Sequence, residues 1–366
     1  MSPPRVLFLS RGRIELPLAP WLAAKWDALS GVLTVRALNA GTGTGDPRFA
    51  LLPEPSWAFY PSLPVEVARE LRRNPADAIV ASDPFVGAAA LAGRSLARSR
   101  AKVIVEVHGD PATFTRLYGS RARRTVAGAS DRVARFALRH ADATRAVSSF
   151  TARLVESVRG VPPTARFLAY SDLSAFADAP AVPVPEARRV VFVGALEAYK
   201  NIDGLAAAWR EVADGDSHLT IVGRGSRIGV VQQLIRDLPA SVTHHPVLAP
   251  TDVAHEIDAS RALVLPSYPE GLGRVVLEAF ARGRCVVGTD GGGIPDMVTN
   301  DHDGLLVPPY DVPALVAALR RVLDDRELAV RLGAAARTTY GAWHQTPEDF
   351  ASAYRALVDD ALAGAR

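Results

Sequence analysis

Short apolar runs recur along the whole chain. In the first half they fall at residues 5–10 (RVLFLS), 32–37, 78–82 and 103–107. In the second they fall at 190–194 (VVFVG), 218–223, 242–247, 262–266, 285–288 and 305–307. Each is too short for a buried helix and rich in branched residues, as a strand covered on both faces should be. Between them the apolar spacing turns helical, as in Leu18, Leu22, Trp26 and Leu29 within 17–29. Further helices are predicted over 148–159, 230–238, 253–260, about 274–281, from Pro313, and over about 348–363. Strand alternating with helix predicts an α/β fold of doubly wound parallel sheets, whose ligands bind outside the strands' carboxyl ends. Residues 39–62, rich in Gly and Pro, read as a long connection, and 166–170 is strand-like.

A chain of 366 residues exceeds one ordinary core and suggests two domains. The pattern lapses at 171–189 (SDLSAFADAPAVPVPEARR), which marks a linker at 175–189. A first domain over 1–174 and a second over 190–344 follow, with a C-terminal helix in 345–366 returning to the first. Only 22% of residues are charged against 48% hydrophobic, which fits a compact enzyme and excludes wholesale disorder. The one cysteine, Cys285, cannot form an internal disulfide, and no Cys/His cluster has metal-ligand spacing, so no metal site is expected. No signal peptide and no span of roughly 18 apolar residues is evident, so the expected location is cytoplasmic.

The net charge of +3 is uneven. Residues 94–166 hold 15 Arg or Lys against 5 Asp or Glu, a balance of +10, leaving −7 for the rest. In 120–141 the apolar Val126, Val133, Phe136, Ala137 and Leu138 alternate with arginines, which reads as a core helix with a solvated basic face. The sharper reading is peripheral contact with an anionic membrane. Nucleic acid is disfavoured, because the patch has no interleaved aromatics.

The strand-end loops collect the candidate chemistry. In the first domain these are Gly12, within Arg11-Gly12-Arg13; Asp83, before Pro84; and His108, in EVHGD. Gly12 permits either a close backbone approach or an ordinary turn, and Asp83 either faces ligand or forms a turn. His108 follows a buried strand and precedes glycine, which aims it into the cleft as a hydrogen-bond donor. In the second domain Gly223-Arg224-Gly225 ends a strand as a nucleotide-facing G-x-G. The richest stretch is 262–298, where strand, turn, helix, strand and GGGIPD follow in order. Glu270 lies in its turn and Glu278 on its helix, eight residues apart. Glycoside hydrolysis needs carboxyls roughly 5–10 Å apart across one bond. Even partial helix here gives backbone separations near or above about 10 Å, better suited to gripping two parts of an elongated ligand. The amides of Leu272, Gly273 and Arg274 at the helix start offer a phosphate seat.

PSYPEGLGRVVLEAFARG, with Glu270 and Glu278 spaced E-x7-E, resembles the signature of retaining glycosyltransferases of family 4. The resemblance implies a GT-B fold, two Rossmann-like domains facing each other across a cleft. The first would take the acceptor. The second would take a nucleotide-diphospho-sugar, UDP- or GDP-linked, as co-substrate, with no cofactor. Glu270 would then hold donor-sugar hydroxyls, Glu278 the nucleotide ribose and the Leu272–Gly273 backbone the diphosphate. Residues 194–201 (GALEAYKN) are close to the family's GRLxxxKG/N, which makes Lys200 the cation on the diphosphate. His108 would lie near the donor sugar and its phosphate, and GLLVPPYD at 304–311 is similar to the family's tail. The chain departs from the pattern at Ala195, where the family usually has Arg, and Arg224, Arg11, Arg13 and Arg274 are the candidates to replace it. The implied activity is that of a retaining, metal-independent hexosyltransferase acting on a small-molecule, glycan or lipid-linked acceptor. The alternatives are a GT-B sugar-nucleotide epimerase and a non-catalytic nucleotide-sugar binder.

Overall fold

The protein is described by a computed structural model that covers residues 2–52, 56–112 and 127–364. It divides into two compact units, one built from residues 2–52, 56–112 and 127–170 together with 345–364, the other spanning Ser171–His344.

The first unit holds a parallel sheet of seven strands: β1 (Arg5–Glu15), β2 (Thr34–Thr42), β3 (Phe49–Leu52), β4 (Ala78–Ala81), β5 (Lys102–Val107), β6 (Ala143–Ala146) and β7 (Ala165–Arg166). Their order is β3-β2-β1-β4-β5-β6-β7, so the winding reverses between β1 and β4. Helices α1 (Pro20–Val32), α2 (Ser56–Arg73), α3 (Pro84–Ala97), α4 (Ala127–His140) and α5 (Ser149–Arg159) connect them. Strand alternation sorts the core into two layers. Leu7, Leu9 and Val105 pack with Val67 and Val86 on one face, and Val6, Phe8 and Val80 with Trp26 and Leu29 on the other.

Several expectations need correction. Strand β1 does not stop at Ser10, because its register shifts between Ser10 and Ile14 and then resumes opposite Gly41. Arg11-Gly12-Arg13 is therefore a bulge within the strand, closed by the burial of Ile14. Residues 39–62 are not a connection. They complete β2, form β3 and begin α2, with Phe49 edge-on to Trp26 at 5.1 Å. Gly and Pro content had masked two apolar elements. Strand β6 escaped notice because its run is Ala-Thr-Arg-Ala. On α4 the buried residues are Ala134, Ala137 and Leu138, whereas Val133 and Phe136 are 42% and 50% exposed. Ala134, Ala137 and Leu138 face inward where α4 packs on α3, and the bulkier Val133 and Phe136 do not. Residues 120–126 of that basic stretch lie outside the described residues.

The second unit repeats the plan. Helix α6 (Ser174–Ala177) precedes a parallel sheet of β8 (Arg188–Val193), β9 (Ser217–Val222), β10 (Val242–His245), β11 (Ala262–Leu265), β12 (Cys285–Thr289) and β13 (Gly304–Val307). The order is β10-β9-β8-β11-β12-β13, with the reversal between β8 and β11. Helices α7 (Ile202–Val212), α8 (Ile228–Asp237), α9 (Pro250–Asp258), α10 (Val275–Ala281), α11 (Val312–Asp324) and α12 (Arg326–Trp343) flank it. Its core centres on Trp209, Phe192, Val264 and Leu319. Residues 176–184 have few strand partners for their carbonyls, and two buried arginines supply them. Arg282 donates to the carbonyls of Phe176, Ala179 and Pro180, and Arg284 to those of Val182 and Pro183.

The last helix, α13 (Pro347–Ala363), starts with a Thr346–Asp349 capping box and packs in the first unit. Its Phe350, Tyr354 and Leu357 join the layer of Phe8 and Trp26. No helix among the described residues is long and apolar enough to cross a membrane.

Candidate functional site

The reversal between β8 and β11 leaves a gap outside their carboxyl ends, where ligands of open α/β sheets bind. Two loops meet there. From β8 the chain passes Gly194 into a short 3-10 turn, Ala198–Lys200, and Asn201 in the left-handed region caps α7 by accepting from Gly204 N at 3.2 Å. From β11 it passes Ser267 and Tyr268 to Glu270, and Tyr268 N donates to Tyr199 O at 2.8 Å. That bond brings the two loops together. Lys200 Nζ forms an ion pair with Glu270 Oε2, and both side chains are nearly closed off, at 10% and 12% exposure. The Lys200 stem runs past Gly194, where an added Cβ would stand 3.5 Å from its Cε.

Glu278, on α10, is buried, and among the described residues its ion-pair partner is Arg274 Nε at 3.3 Å. Burial pushes its carboxyl above the usual range, with the Arg274 charge and hydrogen bond and the more distant Lys200 opposing. The amides of Leu272, Gly273 and Arg274 donate to no acceptor among the described residues. GGGIPD forms the floor of this turn. Gly293 N donates to Glu270 O at 2.8 Å, and Gly292 sits at φ +66° with no room for a side chain, since a Cβ would lie 2.3 Å from Glu270 O.

Gly223 and Arg224 belong to the neighbouring loop after β9. At φ +149°, Gly223 approaches Gly194 so closely that a Cβ would be 1.9 Å from its carbonyl oxygen. Leu196 N donates to Arg224 O at 2.9 Å, and the Arg224 side chain is exposed. Glu197, unremarked in the sequence, fastens the two loops by accepting from Ser226 N at 3.2 Å and Ser226 Oγ at 2.6 Å.

The first unit gathers Gly12, Asp83 and His108 around one cavity of about 880 Å³. Asp83 has a structural task too. It caps α3 by accepting from Phe85 N at 2.8 Å and Val86 N at 2.9 Å. Burial raises its carboxyl, against those amides and the charges of Arg11 and His108. His108 Nε2 lies 3.1 Å from Glu106 Oε2. Burial alone would raise Glu106, but Arg145, His108 and Tyr354 together hold it below the usual carboxylate range. Arg145 Nη1 donates to Glu106 Oε1 at 2.6 Å, and Tyr354 donates to the same oxygen. The guanidinium also donates to Phe167 O and Leu168 O and stacks 4.1 Å from the Phe167 ring centre. With Nε2 facing a carboxylate, the ring proton belongs there, and Nδ1 is left for other contacts.

Known proteins now give this geometry a frame. The family model for Glycosyl transferases group 1 matches residues 178–339, and that for Glycosyltransferase Family 4 matches residues 28–167. The chain belongs to these glycosyltransferases. Among relatives of this glycosyltransferase, it is 32% identical over 156 residues to the sulfoquinovosyl transferase of Arabidopsis thaliana, covering 42% of this chain and 30% of that one. It is 32% identical over 192 residues to a D-inositol 3-phosphate glycosyltransferase of Streptomyces griseus, covering 48% of this chain and 40% of that one. The matched stretches thus span well under half of either relative. In fold it is similar to the sucrose-phosphate synthase of Thermosynechococcus elongatus, with a TM-score of 0.74, 20% identity and coverage of 98% and 97%. An Anabaena protein solved in complex with UDP-glucose gives a TM-score of 0.70 at 15% identity, covering 98% of this chain and 99% of that one. At these identities the likeness concerns fold, and the fold is GT-B, two Rossmann-like parallel α/β units.

Sequence reasoning about the glycosyltransferase missed the support around His108. Glu106 was visible in EVHGD, since residues i and i+2 of a strand share a face. Arg145 and Tyr354 left no such trace. They lie 39 and 248 residues from Glu106.

Proposed function

We propose that this glycosyltransferase moves a sugar from a nucleotide-diphospho-sugar, UDP- or GDP-linked, to an acceptor hydroxyl, with retention at the anomeric carbon and without a metal. The observation that carries the reading is the Lys200–Glu270 pair, buried at the reversal of the second sheet beside Glu278. The Anabaena fold relative solved with UDP-glucose favours a uridine donor. In this reading Lys200 takes the diphosphate as a point charge, Glu270 the sugar hydroxyls and Glu278 the ribose. Arg274, on the outer side of Glu278, supplies the second cation that Ala195 lacks. The free amides of Leu272, Gly273 and Arg274 complete the anion seat. As the C1–O bond to the diphosphate breaks and the acceptor oxygen bonds C1, these donors stabilise the departing charge, and the leaving phosphate takes the acceptor's proton. His108, with its Nε2 proton committed to Glu106, offers Nδ1 to substrate as a hydrogen-bond acceptor rather than the expected donor. The exposed α4 face, with Val133 and Phe136 beside Arg132, Arg135 and Arg139, belongs to the proposal as a contact for an anionic surface.

The test is a thermal-shift screen of UDP-, GDP- and ADP-sugars, in which a donor at about 100 times its dissociation constant stabilises by roughly 2.7 kcal/mol. The donor that shifts the transition then enters a turnover assay with an acceptor panel, run with and without EDTA, and the product anomer is read by NMR. Glu270→Ala should keep nucleotide binding and lose turnover by about 10²-fold or more. Full turnover in that variant, or inversion at C1, would reject the assignment.

A further inference from the structure

A cavity of about 880 Å³ in the first unit has the wrong walls for a free sugar or polyol. Its polar side chains are Ser10, Arg11, Ser82, Asp83 and His108 at the strand ends, with Ser130 on α4. The remaining walls come from three helices: Tyr60 and Pro64 on α2, Phe85, Ala88 and Ala92 on α3, and Val133 on α4. Ala88 and Ala92 are one turn apart, and their small side chains leave the space open. Tyr60, edge-on to Phe59 at 5.6 Å, and Val133 are 37% and 42% exposed. At about 880 Å³ the space is in the upper range for a ligand pocket, far more than one hydroxylated ring needs. A polyol filling it would leave hydroxyls against carbon without partners, which is unfavourable for each of them. An apolar body loses nothing there.

We propose that this cavity seats the apolar body of an amphipathic acceptor alcohol, with its hydroxyl end at Gly12, Asp83 and His108. The inference rests on the glycosyltransferase reading and gives that reading its acceptor class. The hydroxyl oxygen bonds the sugar's C1 as the bond from C1 to the diphosphate breaks, and its proton leaves with the phosphate. Such an alcohol reaches the cavity either from solution or out of a bilayer, and the chemistry of the walls is the same for both.

The experiment titrates the whole protein with n-alkyl β-D-glucosides from methyl to decyl, each below its micelle concentration, by isothermal calorimetry. Affinity should tighten by about fourfold per added methylene while the chain still finds apolar wall. Ala88→Phe and Ala92→Phe, which project into open space rather than core, should each flatten that dependence without lowering the melting temperature. Two variants guard against misfolding in either one. Length dependence in dispersed monomers supports a diffusing acceptor. Binding seen only with dodecyl glucoside carried in phosphatidylglycerol vesicles, and lost in Ala88→Phe, supports the same cavity filled from a bilayer. Methyl glucoside binding as tightly as octyl in solution with no binding from vesicles, or a length dependence that both phenylalanines leave intact, overturns the proposal. The thermal shift with nucleotide sugar, read in parallel, separates this outcome from failure of the donor reading. A chain that binds alkyl glucosides but no nucleotide sugar would sink the donor assignment and spare the cavity.

Discussion

Lys200 and Glu270 offer the sharpest test of the proposed donor site, because stability and turnover should part company there. The pair is nearly closed from water, at 10% and 12% side-chain exposure, so neither charge is cheaply left alone. Lys200→Met strands the Glu270 carboxylate. Breaking a buried pair typically destabilises by about 3–5 kcal/mol, and the residual exposure argues for about 3. For a unit of this size that lowers its melting temperature by about 6–12 °C. Glu270→Gln is milder, since its amide oxygen still accepts from the ammonium and the Tyr199 ring lies 5.2 Å beneath Lys200 Nζ. A loss of about 1–2 kcal/mol is expected. The double variant removes both charges and should return to within about 1 kcal/mol of the parent, a strongly favourable coupling. Its turnover should stay down by about 10²–10³-fold, because the cation at the leaving phosphate is still missing. Denaturant melts and donor-consumption rates on the four proteins make the comparison. A double variant as unstable as Lys200→Met refutes the charge argument. A Lys200→Met enzyme turning over at the parental rate refutes the catalytic one.

Two further predictions concern buried polar groups. Because burial raises Glu278, the native state holds that proton more tightly than the unfolded chain. Its ionised form therefore subtracts stability above the usual glutamate range, and the penalty fades as pH falls into that range. Glu278→Gln should raise the melting temperature at about pH 8, gain less at about pH 5 and weaken nucleotide-sugar binding at both. An equal melting gain at the two pH values, or an unchanged dissociation constant, would count against this. Tyr354→Phe removes a hydroxyl donated to a buried carboxylate and should cost about 1.5–3 kcal/mol of first-unit stability, since Glu106 loses one of the partners that keep it ionised. The denaturation midpoint of that unit is the readout, and a change under about 0.5 kcal/mol would show the bond contributes little.

The parallel sheets were legible because burial on both faces writes itself as continuous branched runs, such as ALVL at 262–265 and VVFV at 190–193. The same logic explains the failures. Strand β6 reads Ala-Thr-Arg-Ala, and its arginine is tolerated inside only because Glu106, Tyr354 and two carbonyls surround it. Those partners come from distant parts of the chain, so no local window contains the reason. Residues 39–62 failed differently. Glycine and proline punctuate real turns there, but they dilute the signal of Phe49 and of the helix that follows. Glu270, Arg274 and Glu278 were legible as a group because one loop and one helix carry them within nine residues. Glu197 was not, since its work is to bind Ser226 on another loop.

The Lys200–Glu270 pair also says how such a site can stand ready without its ligand. An ammonium and a carboxylate each buried without a partner would carry an uncompensated charge, and the pair gives each its partner. In the proposed complex the diphosphate takes the ammonium and the sugar hydroxyls take the carboxylate, so each partner exchanges one hydrogen-bonded neighbour for another. The donor then has to contribute both substitutes at once. A nucleotide diphosphate without its sugar would draw Lys200 away and leave Glu270 uncompensated, so it should bind less tightly than the intact donor. Glu270→Gln should narrow that gap, because an amide needs no cation beside it. Calorimetric titrations of the parent and Glu270→Gln with nucleotide diphosphate and nucleotide sugar measure the gap directly. A parent that prefers the bare diphosphate, or a variant in which the gap widens, would mean that Glu270 is not the group the sugar replaces.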